Sequence, residues 1–278
     1  MMKQKKINNP FLTALVLCCA LAALQTACAG NPEQGNRKEG NNKMIEKPIH
    51  DYVESWYNKD AGLMKQALHP AVTKRHPDKT APNGLRKLSL DEFLKVIPQY
   101  GGPGGDGRII DISVYDSANN IATAKVISNS YVDYVHLGYV EGRWQIINIL
   151  WDFKSGGSPE LTDELKEELS KPVRDYVEGW YDKDAKRFAQ ALHPDLAKRN
   201  IDQGQPDGVN RYKFETLLAD LEKYGGTNGK DRTLDIEYLD IQPGIASLKV
   251  VSASFVDYLH LARQNGRWLI VNALWAFR

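Results

Sequence analysis

Beyond residue 28 this chain has no cysteine. Its three, Cys18, Cys19 and Cys28, all lie near the N-terminus. No disulfide can therefore staple the rest of the chain, whose stability must come from apolar cores. Long apolar runs are also missing: the longest, Phe11 to Leu24, is too short to span a bilayer comfortably. Charge bias is missing as well. Setting aside Lys3, Lys5 and Lys6 leaves 33 of the 36 basic residues against 35 acidic ones, a net charge near −2. That balance gives no reason to expect nucleic acid or an anionic membrane surface as a partner.

What the N-terminus does have is a basic start, a short apolar core and the small residues Thr26-Ala27-Cys28-Ala29-Gly30. Residues 1–29 therefore read as a secretory signal peptide of a bacterial chain. Two cleavage readings fit. Ala27-Cys28-Ala29 suits cleavage before Gly30. Thr26-Ala27-Cys28 resembles a bacterial lipobox with Cys28 as the lipidation site, although Gln25 stands where Leu is usual. The polar residues 30–44 read as a flexible tether, which suits a lipid anchor. The expected location is outside the cytoplasm, in the periplasm or membrane-anchored through lipid alone.

The rest of the chain is written twice. Asp51-Tyr-Val-Glu-Ser-Trp56-Tyr57 returns as Asp175-Tyr-Val-Glu-Gly-Trp180-Tyr181, and Ala67-Leu-His69-Pro70 as Ala191-Leu-His193-Pro194. Tyr131-Val-Asp133-Tyr134-Val-His136-Leu137 returns as Phe255-Val-Asp257-Tyr258-Leu-His260-Leu261, and Gly142-Arg143-Trp144 as Gly266-Arg267-Trp268. Each pair lies 124 positions apart (175 − 51, 193 − 69, 257 − 133, 268 − 144). That period is far longer than a solenoid repeat of roughly 20–50 residues. Each copy is long enough for its own core. The expected domains are 45–154 and 171–278, joined by a linker at 155–170 that carries a short acidic helix and no site.

Within a copy, Pro48–Leu68 reads as helix from the spacing of Ile49, Val53, Trp56 and Tyr57, with Asp60 capping a further turn. Pro70 stops it, and a loop is expected up to Lys87. Ser89 caps a second helix carrying Leu90, Phe93, Leu94 and Ile97. Strand patterns follow from Arg108 to Phe153, so the class is α+β. The segment Trp144–Trp151 is apolar at both parities, as is Trp268–Trp275, which requires cover on both faces. One cover is the copy's own helices and the other is the second copy. This gives an intramolecular pseudo-dimer in which Ile147 and Trp151 face the partner copy.

The order of motifs in both copies (Trp-Tyr helix, Ala-Leu-His-Pro, Asp-Tyr strand, Gly-Arg-Trp strand) resembles the family described as "putative lumazine-binding", of the nuclear transport factor 2-like superfamily. The resemblance covers 48–153 and 172–277. It implies two tandem cone-like domains, each a curved antiparallel sheet wrapped around N-terminal helices, with a pocket at the wide end. Fold alone does not choose a function in that superfamily.

Asp133 shares strand parity with Tyr131, Val135 and Leu137, and Asp257 with Phe255, Leu259 and Leu261. An acid in an apolar row is either a site residue or a hydrogen-bonded core residue. If structural, Asp133→Asn costs roughly 1–3 kcal/mol. Asn148 and Asn272 share the parity of Trp144 and Trp268. The resemblance implies that these rows face the cone interior. The candidate pocket set is Trp56, His69, Tyr131, Asp133 and Asn148, with Trp180, His193, Asp257 and Asn272. Trp56 and Trp180 equally suit a core role. His69 and His193 equally suit a helix C-terminus. No metal site or cofactor is expected, because Asp133 and His136 point to opposite faces of a strand. No catalytic residue is assigned. The expected role is non-catalytic binding of a small apolar ligand or a protein partner. The alternative is acid–base chemistry of isomerase, cyclase or dehydratase type by a pocket Asp and His. Met64, Gly138 and Tyr131 become Phe188, Ala262 and Phe255, so the first pocket is expected to be the roomier.

Overall fold

Ile45, Ile49, Tyr52 and Val53 recur at helical spacing, and all are buried. They lie on helix α1 (Pro32–Asn58). The computed structural model describes residues 32–103, 107–227 and 231–278. Residues 1–31, with Cys28 and the expected signal peptide, lie outside them. Lys59 takes a left-handed backbone (φ 57°). Asp60 then caps α2 (Ala61–Ala67) by accepting from the Leu63 N–H at 2.9 Å. Ser89 and Glu92 form a capping box at the start of α3 (Leu90–Tyr100), which buries Leu90, Phe93 and Ile97.

Six strands complete the copy: β1 (Leu68–Pro77), β2 (Leu85–Ser89), β3 (Asp111–Ala118), β4 (Ile121–Ile127), β5 (Tyr131–Val140) and β6 (Arg143–Phe153). They form one sheet in the order β2-β1-β6-β5-β4-β3. The second copy repeats every element: α4 (Asp163–Asp182), α5 (Ala185–Ala191), β7 (Leu192–Ile201), β8 (Val209–Tyr212), α6 (Phe214–Tyr224) and β9 to β12 (Leu234–Ile241, Ile245–Ser252, Phe255–Gln264, Arg267–Phe277). Its sheet order is β8-β7-β12-β11-β10-β9. The chain is thus α+β, with two six-stranded sheets in tandem.

Four expectations change. The loop expected up to Lys87 holds β1 and β2. Pro70 and Pro77 sit near the ends of β1, where a missing N–H is tolerated. The sheet is not wholly antiparallel, because β1 runs parallel to β6. The tether is helical from Pro32. Glu, Lys and Gln are good helix formers, and Glu39 pairs with Lys43 at 3.0 Å one turn on. The linker helix does not stop at 170. Thr162 caps it, and it continues unbroken to Asp182 with Leu169 fully buried.

One face of each sheet holds the helices. The other packs on the second copy. Leu85, Val132, Tyr134 and Leu150 meet Ile245, Ala262 and Val271, and Ala71, Val140 and Ile147 meet Val209. Burying each Val, Leu or Ile side chain of this layer contributes roughly 1.5–3 kcal/mol. Trp151 does not join this layer. Leu137 pairs with Ile146 and His136 with Asn148, so Ile147 is an extra residue, a β-bulge. A one-residue slip moves every later side chain to the opposite face. Trp144 and Ile146 lie inside the cone before the bulge, and Ile149 and Trp151 after it. The second copy repeats the bulge at Val271.

Candidate functional site

Strand β5 turns Asp133, Val135 and Leu137 toward the helices. Asp133 is 3% exposed, and a carboxyl group buried so deeply needs partners. The Tyr52 hydroxyl on α1 donates to its Oδ1 at 2.8 Å, and Lys74 Nζ on β1 donates to the same oxygen at 2.6 Å. Lys74 also donates to the Tyr52 hydroxyl. Its Nζ lies 5.2, 5.3 and 5.1 Å from the ring centroids of Tyr52, Phe93 and Trp151. The ammonium is thus held by one carboxylate and three aromatic faces. Burial pushes the Lys74 ammonium below its ordinary range, opposed by Asp133. Burial, with Asp133 adding to it, pushes the Tyr52 phenol well up, so it stays a donor.

Above this floor lies a cavity of about 250 Å3. Its walls are aromatic: Trp56 stacks on Phe93 at 5.9 Å, and Tyr131 meets Trp151 edge-on at 5.0 Å. The second copy builds the same floor. Tyr176 donates to Asp257 at 3.1 Å, Lys198 Nζ lies 3.4 Å from that carboxylate, and Lys198 donates to the Tyr176 hydroxyl. Lys198 lies 5.5 Å from the Trp275 ring. Burial lowers Lys198 and raises Tyr176 in the same sense. The cavity above is about 370 Å3, lined by Trp180, Phe188, Phe255 and Trp275 among others.

The sequence of both copies matches the family described as "putative lumazine-binding", over residues 40–152 and 164–276. The chain belongs to that family. No curated protein matches it. Among solved structures it is similar to a nuclear transport factor 2-like protein of unknown function from Shewanella baltica, at 19% identity and TM-score 0.38 over 42% of this chain and 96% of that one. A second such protein, from Silicibacter pomeroyi, is 20% identical at TM-score 0.37 over 41% and 97%. A ketosteroid isomerase-like protein from Erwinia carotovora atroseptica is 14% identical at TM-score 0.33 over 42% and 98%.

In this member of the family, Trp56, Tyr131 and Asp133 line one cavity, and Trp180 and Asp257 the other. Four expected pocket residues lie elsewhere. His69 Nε2 donates to the Asp207 carbonyl at 2.9 Å, and its Nδ1 accepts from the Ala71 N–H at 3.0 Å. His193 does the same with the Asn83 carbonyl (3.0 Å) and the Asp195 N–H (2.9 Å). Each histidine thus clasps the other copy's hairpin. Neither lines a cavity, and among the described residues no Asp–His couple lines either one. Asn148 and Asn272 sit between the sheets, because the bulges at Ile147 and Val271 turn them outward. There they accept from Arg199 and Arg75.

The relative sizes also reverse. Gly138 faces the other copy: a Cβ there would stand 2.3 Å from Ile201 Cδ1. The change from Met64 to Phe188 does add a ring to the second cavity. Leu217, however, stands in the place of Phe93 and removes one from its lid helix. The residues the sequence reading missed are Lys74 and Lys198, Tyr52 and Tyr176, and Trp151 and Trp275. Lys74-Arg75 recurs as Lys198-Arg199 within a segment read as loop. A basic pair kept in both copies of a supposed loop was the available signal. Among the described residues no cluster of three or more His, Cys, Asp or Glu could hold a metal.

Proposed function

We propose that each copy binds a small, flat, largely apolar molecule of one or two rings, with a carbonyl-type acceptor turned toward the Lys–Tyr floor. The observation that carries this reading is the repeated floor: a buried Lys–Asp–Tyr set beneath aromatic walls in both cavities. A concave, apolar site with a few converging polar groups is the usual form of a ligand pocket. The floor is neutral as a set, so a neutral ligand fits it best. The buried Lys and Tyr donors penalise a ligand with no acceptor. The histidines needed for the acid–base alternative are committed between the copies, so no observation favours it.

Trp56 and Trp151 line one cavity and Trp180 and Trp275 the other, so binding should quench tryptophan fluorescence. Titration with lumazine and with other flat carbonyl heterocycles is expected to give saturable quenching. Trp56→Ala and Trp180→Ala should each weaken one of two sites by about tenfold, through the lost stacking face. Absence of saturable quenching by every such probe at millimolar concentration defeats the reading.

The leader makes export part of the proposal. Cys28→Ser is expected to move the protein from a detergent-requiring membrane fraction to a soluble one outside the cytoplasm. Recovery of the uncut chain from the cytoplasm, Lys3 to Lys6 included, defeats export. Among the described residues no helix is long and apolar enough to cross a membrane.

A further inference from the structure

Arg75 on β1 and Arg199 on β7 are equivalent residues of the two copies, and each reaches across to the other. Arg75 donates to Asn272 Oδ1 at 3.0 Å and to the Asp195 carbonyl at 3.1 Å. Arg199 donates to Asn148 Oδ1, to the Ala71 carbonyl at 2.6 Å and to Thr73 Oγ1 at 3.0 Å. All these acceptors are neutral. The two residues are 4% and 6% exposed, and neither forms an ion pair among the described residues. A guanidinium has five N–H donors. Among the described residues Arg75 spends two on protein and Arg199 three, and the buried Nε–H of each meets no acceptor there.

A buried cation without a counter-ion is strongly disfavoured, and arginine does not escape by losing its proton. Burial pushes Arg75 down to about 10, opposed by Asp195. Arg199 is held well below its ordinary range by burial first and by the Arg75 charge next. The Arg75 charge is thus felt at Arg199, and each guanidinium keeps spare donors.

They line one groove of about 570 Å3 between the copies, together with Lys87, Lys198, Arg211 and Lys213. Its carboxylates are Glu92, Asp195 and Glu215. Asp195 is taken by Lys87, and Glu92 by the Ser89 N–H and hydroxyl. Outside the groove's own acids, Asp257 pairs with Lys198 and Asp207 with Arg211. Arg75, Arg199 and Lys213 are left against Glu215 and Glu92, whose charge the neutral Ser89 donors do not cancel.

We propose that this groove is an oxyanion site, taking a phosphate group between the Arg75 and Arg199 guanidiniums. The planar fork of arginine suits tetrahedral oxyanions, and a dianion offsets both buried charges at once. The site shares Lys198 and Tyr212 with the second aromatic cavity, but the two arginines line neither cavity, so their variants test this proposal and not that of the cavities.

The test is the melting temperature of the full chain in inorganic phosphate and in phenyl phosphate, against sodium chloride at equal ionic strength. At a hundredfold excess over Kd, an increase of about 5–10 °C is expected. A larger response to inorganic phosphate marks a free ion, and a larger response to phenyl phosphate marks a phosphorylated organic ligand. Arg75→Gln and Arg199→Gln should abolish the response. If either fails to fold, the exposed pair Arg211→Ser and Lys213→Ser should weaken the apparent phosphate affinity at least threefold. Isothermal titration of the unaltered protein with phosphate reads binding directly. Equal melting temperatures in phosphate and chloride, no heat of binding, or an unchanged response in the variants overturns the proposal.

Discussion

Asp133→Ala is expected to lower the melting temperature by on the order of 10 °C. The carboxylate faces Lys74 at 2.6 Å, and the two side chains are 4% and 10% exposed. Removing one partner leaves an ammonium with no counter-ion in an aromatic enclosure. Breaking a buried pair from one side typically costs about 3–5 kcal/mol. For 150–250 residues each kcal/mol shifts the melting temperature by about 2–4 °C. This loss exceeds the 1–3 kcal/mol expected of a hydrogen-bonded aspartate alone, because the lysine was not part of that reckoning. The double variant Asp133→Leu, Lys74→Met should recover most of the loss, since replacing a whole buried pair by apolar residues is often neutral. Thermal melts of Asp133→Leu, Lys74→Met and the double make a complete cycle. Additive effects of the two single changes refute the coupling. Asp257→Ala should act in the same direction but less, because Lys198 stands farther off at 3.4 Å.

What could be read in the sequence and what could not divide along physical lines. Asp133 was legible because β5 runs regularly through it, so strand parity predicts its face. Trp56 was legible because α1 keeps helical spacing. Asn148 was not, because a single extra residue at Ile147 inverts parity and nothing in Ile-Ile-Asn announces a bulge. His69 was not, because its partner lies 138 positions away on another hairpin. Lys74 was not, because an inward lysine on a strand breaks the alternation by which strands are found. The parallel pairing of β1 with β6 joins residues far apart in sequence and leaves no local trace. The cavity volumes failed for a related reason. The exchange of Met64 for Phe188 was counted without the compensating exchange of Phe93 for Leu217 on a different helix.

The same inter-sheet layer should make stability depend on pH between about 7.5 and 5.5. His136 and His260 are fully buried, and their ring centroids lie 3.5 Å apart. Asn148 spends its Oδ1 on Arg199, so its Nδ2 donates to His136 Nδ1 at 3.3 Å. Asn272 does the same for His260 at 3.1 Å. Both imidazoles are therefore neutral, with the proton on Nε2, where neither finds an acceptor among the described residues. A second proton would fall on Nδ1, against an amide donor. Burial pushes the phenols of the ring neighbours Tyr134 and Tyr258 up, so they add no charge. Burial first, then Arg199 for His136, and His136 and Arg75 for His260, hold both well below the ordinary histidine range.

In the unfolded chain the two histidines titrate near 6.5. Their contribution is therefore complete above that pH and is lost as pH falls below it, because the unfolded chain then binds two protons the fold refuses. The slope is about 2.7 kcal/mol per pH unit. His69 and His193, lowered mainly by burial, act in the same direction. Urea unfolding at pH 7.5, 6.5 and 5.5 should show the midpoint falling steeply across the lower half of this range, before most carboxylates titrate. His136→Phe with His260→Phe should flatten most of that fall by removing the two groups that must stay neutral. A midpoint that does not move between pH 7.5 and 5.5 refutes the neutral-pair assignment, as does an unflattened fall in the double variant.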